Sequence, residues 1–455
     1  MRGITLTLML AFLLALPIPL YARGSDELPG KDAPKYTELL DVQKWMETCS
    51  PKELLEILDM GLGDEGEEFY KALEDACGCK NWEQNILRAT LYEGNVYIKT
   101  ALEYKPLQDD ESICALLADW KPCKPQIIKG FSRDNLLALY SLGNPKGVLD
   151  ASMKWFADTD SIPNIIESLP LEEEEAFIKL MFKQMQMIAK GYWYDAKEDY
   201  YPLLGDEMTL AVYTNENYVG WDNIWSAKSP EEYMMARIIL AVETAKPGLA
   251  DEITKVVEDY IDIFSELGVF YGHYGNDPEE EIEILTMEAD GYTIRYIDIE
   301  GVFKIGWTEY GGAFFVSDPA TLKNLPAYFD KSLPNKMDVN KFNQYMYLNT
   351  DRVIDVFYDP IEWFFKDEFT YWTNPSDKEG NAALDEMNKL LLSGELGEIE
   401  VVKIIDGHNA QVDMKAGQVS ADLMLKGIEL YKGFLKDKSS MGDAIRGYLG
   451  FYGGS

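Results

Sequence analysis

Aromatic and acidic residues alternate closely between positions 191 and 225, and this stretch holds the side chains best suited to chemistry on a polymer. Exposed Trp and Tyr rings stack on sugar rings, and neighbouring carboxylates accept hydrogen bonds from hydroxyl groups. The pattern therefore predicts a surface that binds glycans or peptides. The competing interpretation is that these rings are core residues whose polar atoms reach the surface. The predicted ligand-binding residues are Trp193, Tyr194, Trp221 and Trp225.

The same stretch would serve a hydrolase, because glycoside hydrolysis needs two carboxylates at a set separation. Asp195, Glu198, Asp199 and Asp222 are interleaved with the rings. The chain has 79 acidic residues, however, which makes a pair easy to find, so the catalytic residues stay unassigned. Two hypotheses follow. The first is a non-catalytic binding or structural protein of unknown ligand, and the alternative is a carboxylate-dependent hydrolase of a glycan or peptide polymer with its cleft around 191–225.

Histidine chemistry is nearly excluded, since the chain has two histidines, His273 and His408, and both lie in turn-like Gly/Asn sequences. Neither has a second His four positions later, so the helix motif of zinc proteases is absent. The nucleophile elbow G-x-S-x-G is missing, and so are the glycine-rich loops that cradle nucleotide phosphates. These absences favour the non-catalytic hypothesis.

All five cysteines lie between residues 49 and 123. Such clustering in an exported chain favours disulfides, with two bridges and one spare thiol as the simplest count. Zinc is the competing interpretation, but no His lies in the region and Cys-Gly-Cys lacks the usual ligand spacing. The pairing cannot be read from the sequence. The disulfide candidates are Cys49, Cys77, Cys79, Cys114 and Cys123.

Calcium is the one metal ion that the acidic surface leaves open, and no other cofactor is predicted. Asp377 to Gly380, with Glu386 six positions after the glycine, imitates part of an EF-hand loop. Pro375 would then occupy the first ligand position, which argues against such a loop. Asp158 and Asp160 form another weak oxygen cluster. We assign no metal ligands.

The overall charge limits the choice of partners. The formal net charge is −37, and a field of that sign repels nucleic acid and anionic membrane surfaces. A protein or glycan partner at the cell surface remains open, as does the oligomeric state. The scarcity of His and Gln beside abundant Glu, Lys, Ile and Tyr resembles the amino-acid usage of a thermophile.

Residues 1–22 have the pattern of an export signal. Arg2 precedes an apolar run from Ile4 to Leu20, and Leu20-Tyr21-Ala22 offers a cleavage site. An uncleaved anchor is the alternative, although Pro17 and Pro19 suit a membrane span poorly. We therefore predict a secreted or cell-envelope protein, with no membrane span after residue 23.

The most readable structural element is the stretch from Glu281 to Phe329. Four alternating apolar runs are separated by Gly-containing turns, which predicts an antiparallel meander. Asp318 followed by Pro319 then predicts the start of a helix. A later hairpin over 398–414 is followed by a predicted helix from about Val419 to Leu435.

Elsewhere the spacing of apolar residues predicts helices, and one sequence segment recurs. Residues 35–130 have a helical pattern, and Ser229 to Gly268 is typical of a helical hairpin. The phrases Tyr140–Asp150 and Tyr345–Asp355 align without gaps, each as strand, turn and helix.

The predicted fold class is α+β, with a helical N-terminal domain followed by two possibly repeated halves of antiparallel sheet and helix. The predicted boundaries are 1–22 for the signal peptide, 23–130 for the helical cysteine-containing domain, 131–270 for an α+β half with a helical hairpin, 271–436 for an α+β half with the meander, and 437–455 for a tail.

Overall fold

The computed structural model describes residues 31–41, 66–107, 110–168, 176–220, 223, 232, 234–266, 283–299, 303–330, 339–363, 386, 389–391 and 393–436. Within these residues one antiparallel sheet of thirteen strands organises the chain. Numbered along the chain, the strands lie in the order β1-β2-β3-β13-β12-β11-β4-β5-β6-β10-β9-β8-β7. Strands β4 and β11 are therefore the centre of the molecule.

The strands are β1 (Lys31–Asp32), β2 (Trp82–Tyr92), β3 (Asn95–Tyr104), β4 (Leu136–Gly143), β5 (Leu204–Thr214), β6 (Ala236–Thr244), β7 (Ile284–Ala289), β8 (Tyr292–Ile299), β9 (Phe303–Tyr310), β10 (Ala313–Ser317), β11 (Gln344–Asn349), β12 (Glu398–Asp406) and β13 (Asn409–Gly417).

The α-helices in the described residues are α1 (Glu67–Cys77), α2 (Ile113–Leu116), α3 (Pro145–Ala157), α4 (Ser161–Glu167), α5 (Ala176–Asp199), α6 (Leu249–Glu266), α7 (Pro319–Lys323), α8 (Leu325–Tyr328), α9 (Thr350–Trp363) and α10 (Gln418–Lys436).

The predicted fold of a helical N-terminal domain followed by two α+β halves is wrong. Helix α1 does form, with Phe69, Leu73 and Ala76 buried, but β2 and β3 fill residues 82–104 except for the two-residue turn between them. Glu93 and Gly94 both have positive φ and close a tight hairpin between these strands. Strand β3 then pairs with β13 along nearly its whole length, so the cysteine-containing segment is part of the single sheet.

The prediction of a first helix in the hairpin from Ser229 to Gly268 is also wrong, because residues 236–244 form strand β6. This strand pairs with β5 on one side and β10 on the other. Its Ile- and Val-rich sequence is apolar on both faces, and β-branched residues pack well on a pleated surface. The second predicted helix is confirmed as α6.

The meander and the later hairpin are confirmed. Strands β7 to β10 pair in succession, and the Asp318 carboxylate accepts a hydrogen bond from the Thr321 backbone N–H at 2.8 Å, which starts α7. Strands β12 and β13 pair along nearly their full length, and α10 follows directly.

The two similar sequence segments, Tyr140–Asp150 and Tyr345–Asp355, form parts of the two central strands and of the helices that follow them. Asn144 Oδ1 accepts from the Gly147 N–H at 3.2 Å, and the aligned Asn349 Oδ1 accepts from the Arg352 N–H at 3.1 Å. Both asparagines thus cap the start of a helix. Tyr140 lies opposite Met346 in the β4–β11 pair. Each strand is followed on its outer side by a hairpin, β5–β6 or β12–β13, so the strand order is symmetric about this pair.

The two faces of the sheet are covered differently. We call the face that carries Leu139, Ala211 and Tyr345 the loop face, because the segment from Cys123 to Phe131 and helices α7 and α8 pack on it. On the helix face, α1 to α4 and α10 pack over β3, β12 and β13, and α6 packs over β6, β9 and β10.

Candidate ligand-binding site

Four exposed apolar side chains lie on the helix face of the four central strands. Tyr140 lies directly opposite Met346 of β11 and Leu210 of β5, and Ile238 of β6 lies opposite Val212. Side chains that face each other across paired strands lie on the same face of the sheet, so these residues form one surface. Their exposed fractions are 40% for Tyr140, 39% for Met346 and Leu210, and 50% for Ile238. We call these four residues the central patch.

The central patch lies between the helix-packed parts of the sheet. Partly buried Leu142, Leu348 and Val401 belong to the clusters on one side, and partly buried Val242 belongs to the cluster under α6 on the other. Although Tyr140 is exposed, burial raises the pKa of its hydroxyl, and a hydrogen bond with Gln344 opposes that rise.

A polar path leads from the central patch into the protein. Gln344 lies two residues from Met346 on β11, hence on the same face, and directly opposite Lys403 of β12. The Lys403 ammonium donates a hydrogen bond to Gln344 Oε1 at 2.8 Å. Gln344 is also the side chain that opposes the rise in the pKa of the Tyr140 hydroxyl.

Lys403 is a buried cation in apolar surroundings. It is 3% exposed, and burial lowers the pKa of its ammonium to about 7, while Cys114 acts in the opposite direction. Among the described side chains, no carboxylate lies within ion-pair distance of its Nζ. Strongly perturbed groups of this kind concentrate at functional sites.

The loop face beneath the central patch is held by a buried carboxylate. Glu207 is fully buried and accepts hydrogen bonds from the backbone N–H groups of Gln126, Ile127 and Ile128 and from the Ser141 hydroxyl. Burial raises the pKa of this carboxyl, and the backbone donors oppose the rise. Because Glu207 and Ser141 belong to β5 and β4, these bonds fix the segment before β4 against the strands that carry the central patch.

Of the four aromatic residues predicted to bind a ligand, the structure describes two, both on α5. The Trp193 indole N–H donates to Asp150 of α3 at 3.0 Å, and Lys197 lies over its ring, so Trp193 helps attach α5 to α3. Tyr194 is exposed. Trp221 and Trp225 lie outside the described residues, so their role in binding stays a prediction.

Helix α5 also exposes other apolar side chains in the part that precedes Tyr194. It contacts the rest of the protein through the side that carries Phe182, Gln186 and Trp193. Its exposed apolar residues are Leu180, Met181, Met185, Met187 and Ile188. No buried polar group comparable to Lys403 adjoins this surface in the described residues.

The predicted disulfides are not seen at the cysteines whose side chains the structure describes. Cys77, Cys114 and Cys123 are buried and form no disulfide. Burial and the nearby Glu207 raise the pKa of the Cys123 thiol to about 12, which makes it a poor nucleophile. Cys49 and the side chain of Cys79 lie outside the described part of the chain.

Carboxylates with a raised pKa do not converge on one place in the described residues. The two described carboxylates with a raised pKa are Glu207 on β5 and Asp413 on β13. Four strand spacings of about 4.8 Å separate these strands. The neighbouring Glu398 and Glu400 accept hydrogen bonds from the Tyr347 and Tyr345 hydroxyls, at 2.7 and 2.6 Å, and flank Arg133.

Metal-binding groups are likewise absent from the described residues, where no three His, Cys, Asp or Glu side chains lie close enough to hold an ion. Asp158 pairs with Lys190. Glu386 pairs with Lys426. The other residues of the EF-hand-like stretch, 377–380, lie outside the described residues.

Sequence reasoning missed the residues of the central patch. Strand β4 has apolar residues on both faces, a pattern that indicates burial on both faces, whereas the structure leaves Tyr140 exposed on one of them. Lys403 carried a usable signal, since it interrupts the apolar run Val401-Val402-Lys403-Ile404-Ile405 at the centre of a strand.

Comparison of the chain with protein-family models, with curated proteins and with solved structures gave no match. No helix within the described ranges has the length and apolar character needed to cross a membrane.

Proposed function

We propose that the protein is a non-catalytic binding protein that holds an apolar chain, such as the acyl chain of a lipid, on its central patch. The observation that carries the proposal is the exposure of Tyr140, Leu210, Ile238 and Met346 together on the four central strands. An antiparallel sheet that faces water normally presents polar side chains there. Contiguous exposed apolar surface on the order of 300 Å² is typical of functional surfaces.

The size and flanks of the patch suit a slender ligand. Four strands at a spacing of about 4.8 Å span about 14 Å, which is close to the length of an extended chain of about twelve carbons. Covering roughly 300 Å² of apolar surface would contribute about 7 kcal/mol before the entropic cost of binding. The helix-packed clusters on both sides favour such a chain over a flat protein surface.

The hydrolase alternative has less support near this surface. Apart from one another, the patch residues lie directly opposite Val401, Leu240 and Val212, and none of these is acidic. We further propose that the protein acts outside the cytoplasm, since residues 1–22 have the pattern of an export signal.

Binding of dodecanol to the delipidated protein, measured by displacement of an apolar fluorescent dye, tests the proposal. In Leu210→Glu a charge stands in the middle of the central patch, and we expect at least tenfold weaker binding. The matched control is Leu285→Glu, because Leu285 is 37% exposed on the outermost strand β7 of the same sheet.

We expect the control to bind dodecanol within twofold of the unchanged protein, and both variants to unfold within a few degrees of it. Equal losses in the two variants, or no binding by the unchanged protein, would contradict the proposed function.

A further inference from the structure

We infer that the apolar chain on the central patch carries a carboxylate head group and that the Lys403 ammonium is its counterion, so that the ligand class is free fatty acids. The inference rests on the proposed function, because the position of the chain places the head group. It adds the chemistry at one end of the ligand.

The head group has a defined place because two side chains connect the central patch to the cation. Gln344 adjoins Met346 along the helix face of β11 and lies opposite Lys403 across the β11–β12 pair. Its amide oxygen accepts a hydrogen bond from the Lys403 ammonium, and its side chain lies diagonally across the β4–β11 pair from Tyr140 on the same face. A ligand whose chain covers Tyr140 and Met346 therefore brings its end next to Gln344.

Among the described residues, no carboxylate pairs with the Lys403 ammonium, and Cys114 is the one side chain whose charge raises its pKa. An ammonium has three N–H donors, and the structure shows one acceptor for it, the neutral amide oxygen of Gln344. A buried charge without a counterion is costly, and pairing with an opposite charge removes much of that cost. A ligand carboxylate supplies such a charge, either in place of the Gln344 oxygen or beside it.

The surroundings favour a carboxylate over a phosphate. Lys403 is a single point charge, with Val412 opposite it on β13 and Leu142 beyond Gln344 on β4. Phosphate head groups carry more charge and are typically held by several donors, such as forked guanidinium groups and backbone N–H groups. One ammonium between apolar side chains matches a small head group with one charge.

The test compares dodecanoate with dodecanol, which share a chain and differ in the head group. We expect the delipidated protein to bind dodecanoate at least tenfold more tightly than dodecanol. In Lys403→Met, which keeps an unbranched side chain one atom shorter without the charge, the affinity for dodecanoate should fall to that for dodecanol while dodecanol binding stays within twofold. Lys415→Met, on the loop face of the neighbouring strand β13, is the matched control and should keep the preference.

Each outcome decides the inference. Equal binding of dodecanoate and dodecanol by the unchanged protein overturns the carboxylate head group and leaves the proposed function standing. Tighter binding of dodecyl phosphate than of dodecanoate also overturns it. Failure to bind any of the three overturns the proposed function itself. If Lys403→Met does not fold, the ratio of the two affinities in the unchanged protein still decides, and Lys403→Gln provides the second variant.

Discussion

Lys403 shows how one residue can set both the chemistry and the pH dependence of this sheet. Its neighbours along β12 are Val402 and Ile404, and its cross-strand partners are Gln344 and Val412. A fully solvated position would keep the ammonium charged at neutral pH. Burial instead lowers its pKa to about 7, from an ordinary value of 10.5. Above pH 7 the folded protein without ligand therefore favours the neutral amine, whereas the unfolded chain favours the ammonium up to about pH 10.

This difference predicts that stability rises with pH above neutrality. Between pH 7 and about pH 10 the unfolded chain binds the proton on Lys403 and the folded chain does not, so the free energy of unfolding rises with pH. We expect a gain of about 2 kcal/mol between pH 7 and pH 9 in urea unfolding without ligand. Lys403→Met should remove most of this gain.

The control for the pH prediction is Lys415→Met, whose pH profile should follow that of the unchanged protein. The comparison ends below pH 10, because burial raises the pKa of several tyrosines, among them Tyr345 and Tyr347, and these add a pH dependence of their own there. A Lys403→Met profile that still rises by the full amount would show that other groups cause the effect.

Glu207 is the second residue whose environment gives a sharp prediction. Its carboxylate is the acceptor for three consecutive backbone N–H groups, at 2.5, 2.7 and 2.8 Å. Glu207→Ala leaves these buried donors without an acceptor, so we expect a loss of about 3 kcal/mol in the free energy of unfolding. Glu207→Gln retains an acceptor oxygen and should lose less. Glu103→Ala, at an exposed position of β3, should change stability by less than about 0.5 kcal/mol.

Such residue-level environments were only partly predictable. The sequence marks Lys403 as an anomaly within an apolar strand, but nothing local to Glu207 shows that residues 126–128 will reach it. That contact joins positions 79 to 81 residues apart and exists only after β5 has paired with β4.

At the scale of elements, local signals succeeded where a cap or a turn defines a boundary. Asn144 and Asn349 were aligned from the sequence, and both proved to be helix caps at the ends of the central strands. The prediction of the first helix in the 229–268 hairpin was wrong because the sequence of residues 236–244 fits both a buried helix and a central strand. Apolar residues on both faces suit a central strand as well as a buried helix, and the partners β5 and β10 decide between them.

The two caps differ in backbone conformation, which yields a prediction. Asn144 has a φ of 48°, a left-handed conformation, whereas Asn349 has no positive φ. Asn349→Ala should cost about 1 kcal/mol through loss of the cap. Asn144→Ala should cost about 2 kcal/mol, since alanine also resists the left-handed region.

The matched variant is Asn144→Gly, which accepts the positive φ without strain and loses only the side-chain cap. We expect it to be more stable than Asn144→Ala in urea unfolding by about 1 kcal/mol. An equal loss of unfolding free energy in Asn144→Ala and Asn144→Gly would show that the left-handed backbone conformation does not cause the difference.

At the scale of the whole molecule, the strand order was not predictable because it depends on pairings between distant segments. The sequence marked the meander β7–β10 and the hairpin β12–β13, which are local. It did not show that β3 pairs with β13, more than 300 residues later, or that β6 pairs with β10. The central patch exists only because β11, β4, β5 and β6 become neighbours in the sheet, so the sequence alone does not show it.

This long-range pairing makes the predicted boundary at residue 130 testable. A chain that begins at residue 131 lacks β1 to β3 and exposes strand β13, whose unpaired edge would carry Ala410, Val412, Met414 and Ala416 on its helix face. It also lacks Ile127 and Ile128, which are fully buried. An exposed apolar edge invites pairing between molecules. We expect the truncated chain to aggregate, as measured by light scattering, under conditions in which a chain beginning at residue 23 stays monodisperse.

A soluble truncated chain with cooperative unfolding and unchanged dodecanol binding would instead show that residues 23–130 are a separate domain, and that the remaining ten strands support the central patch alone.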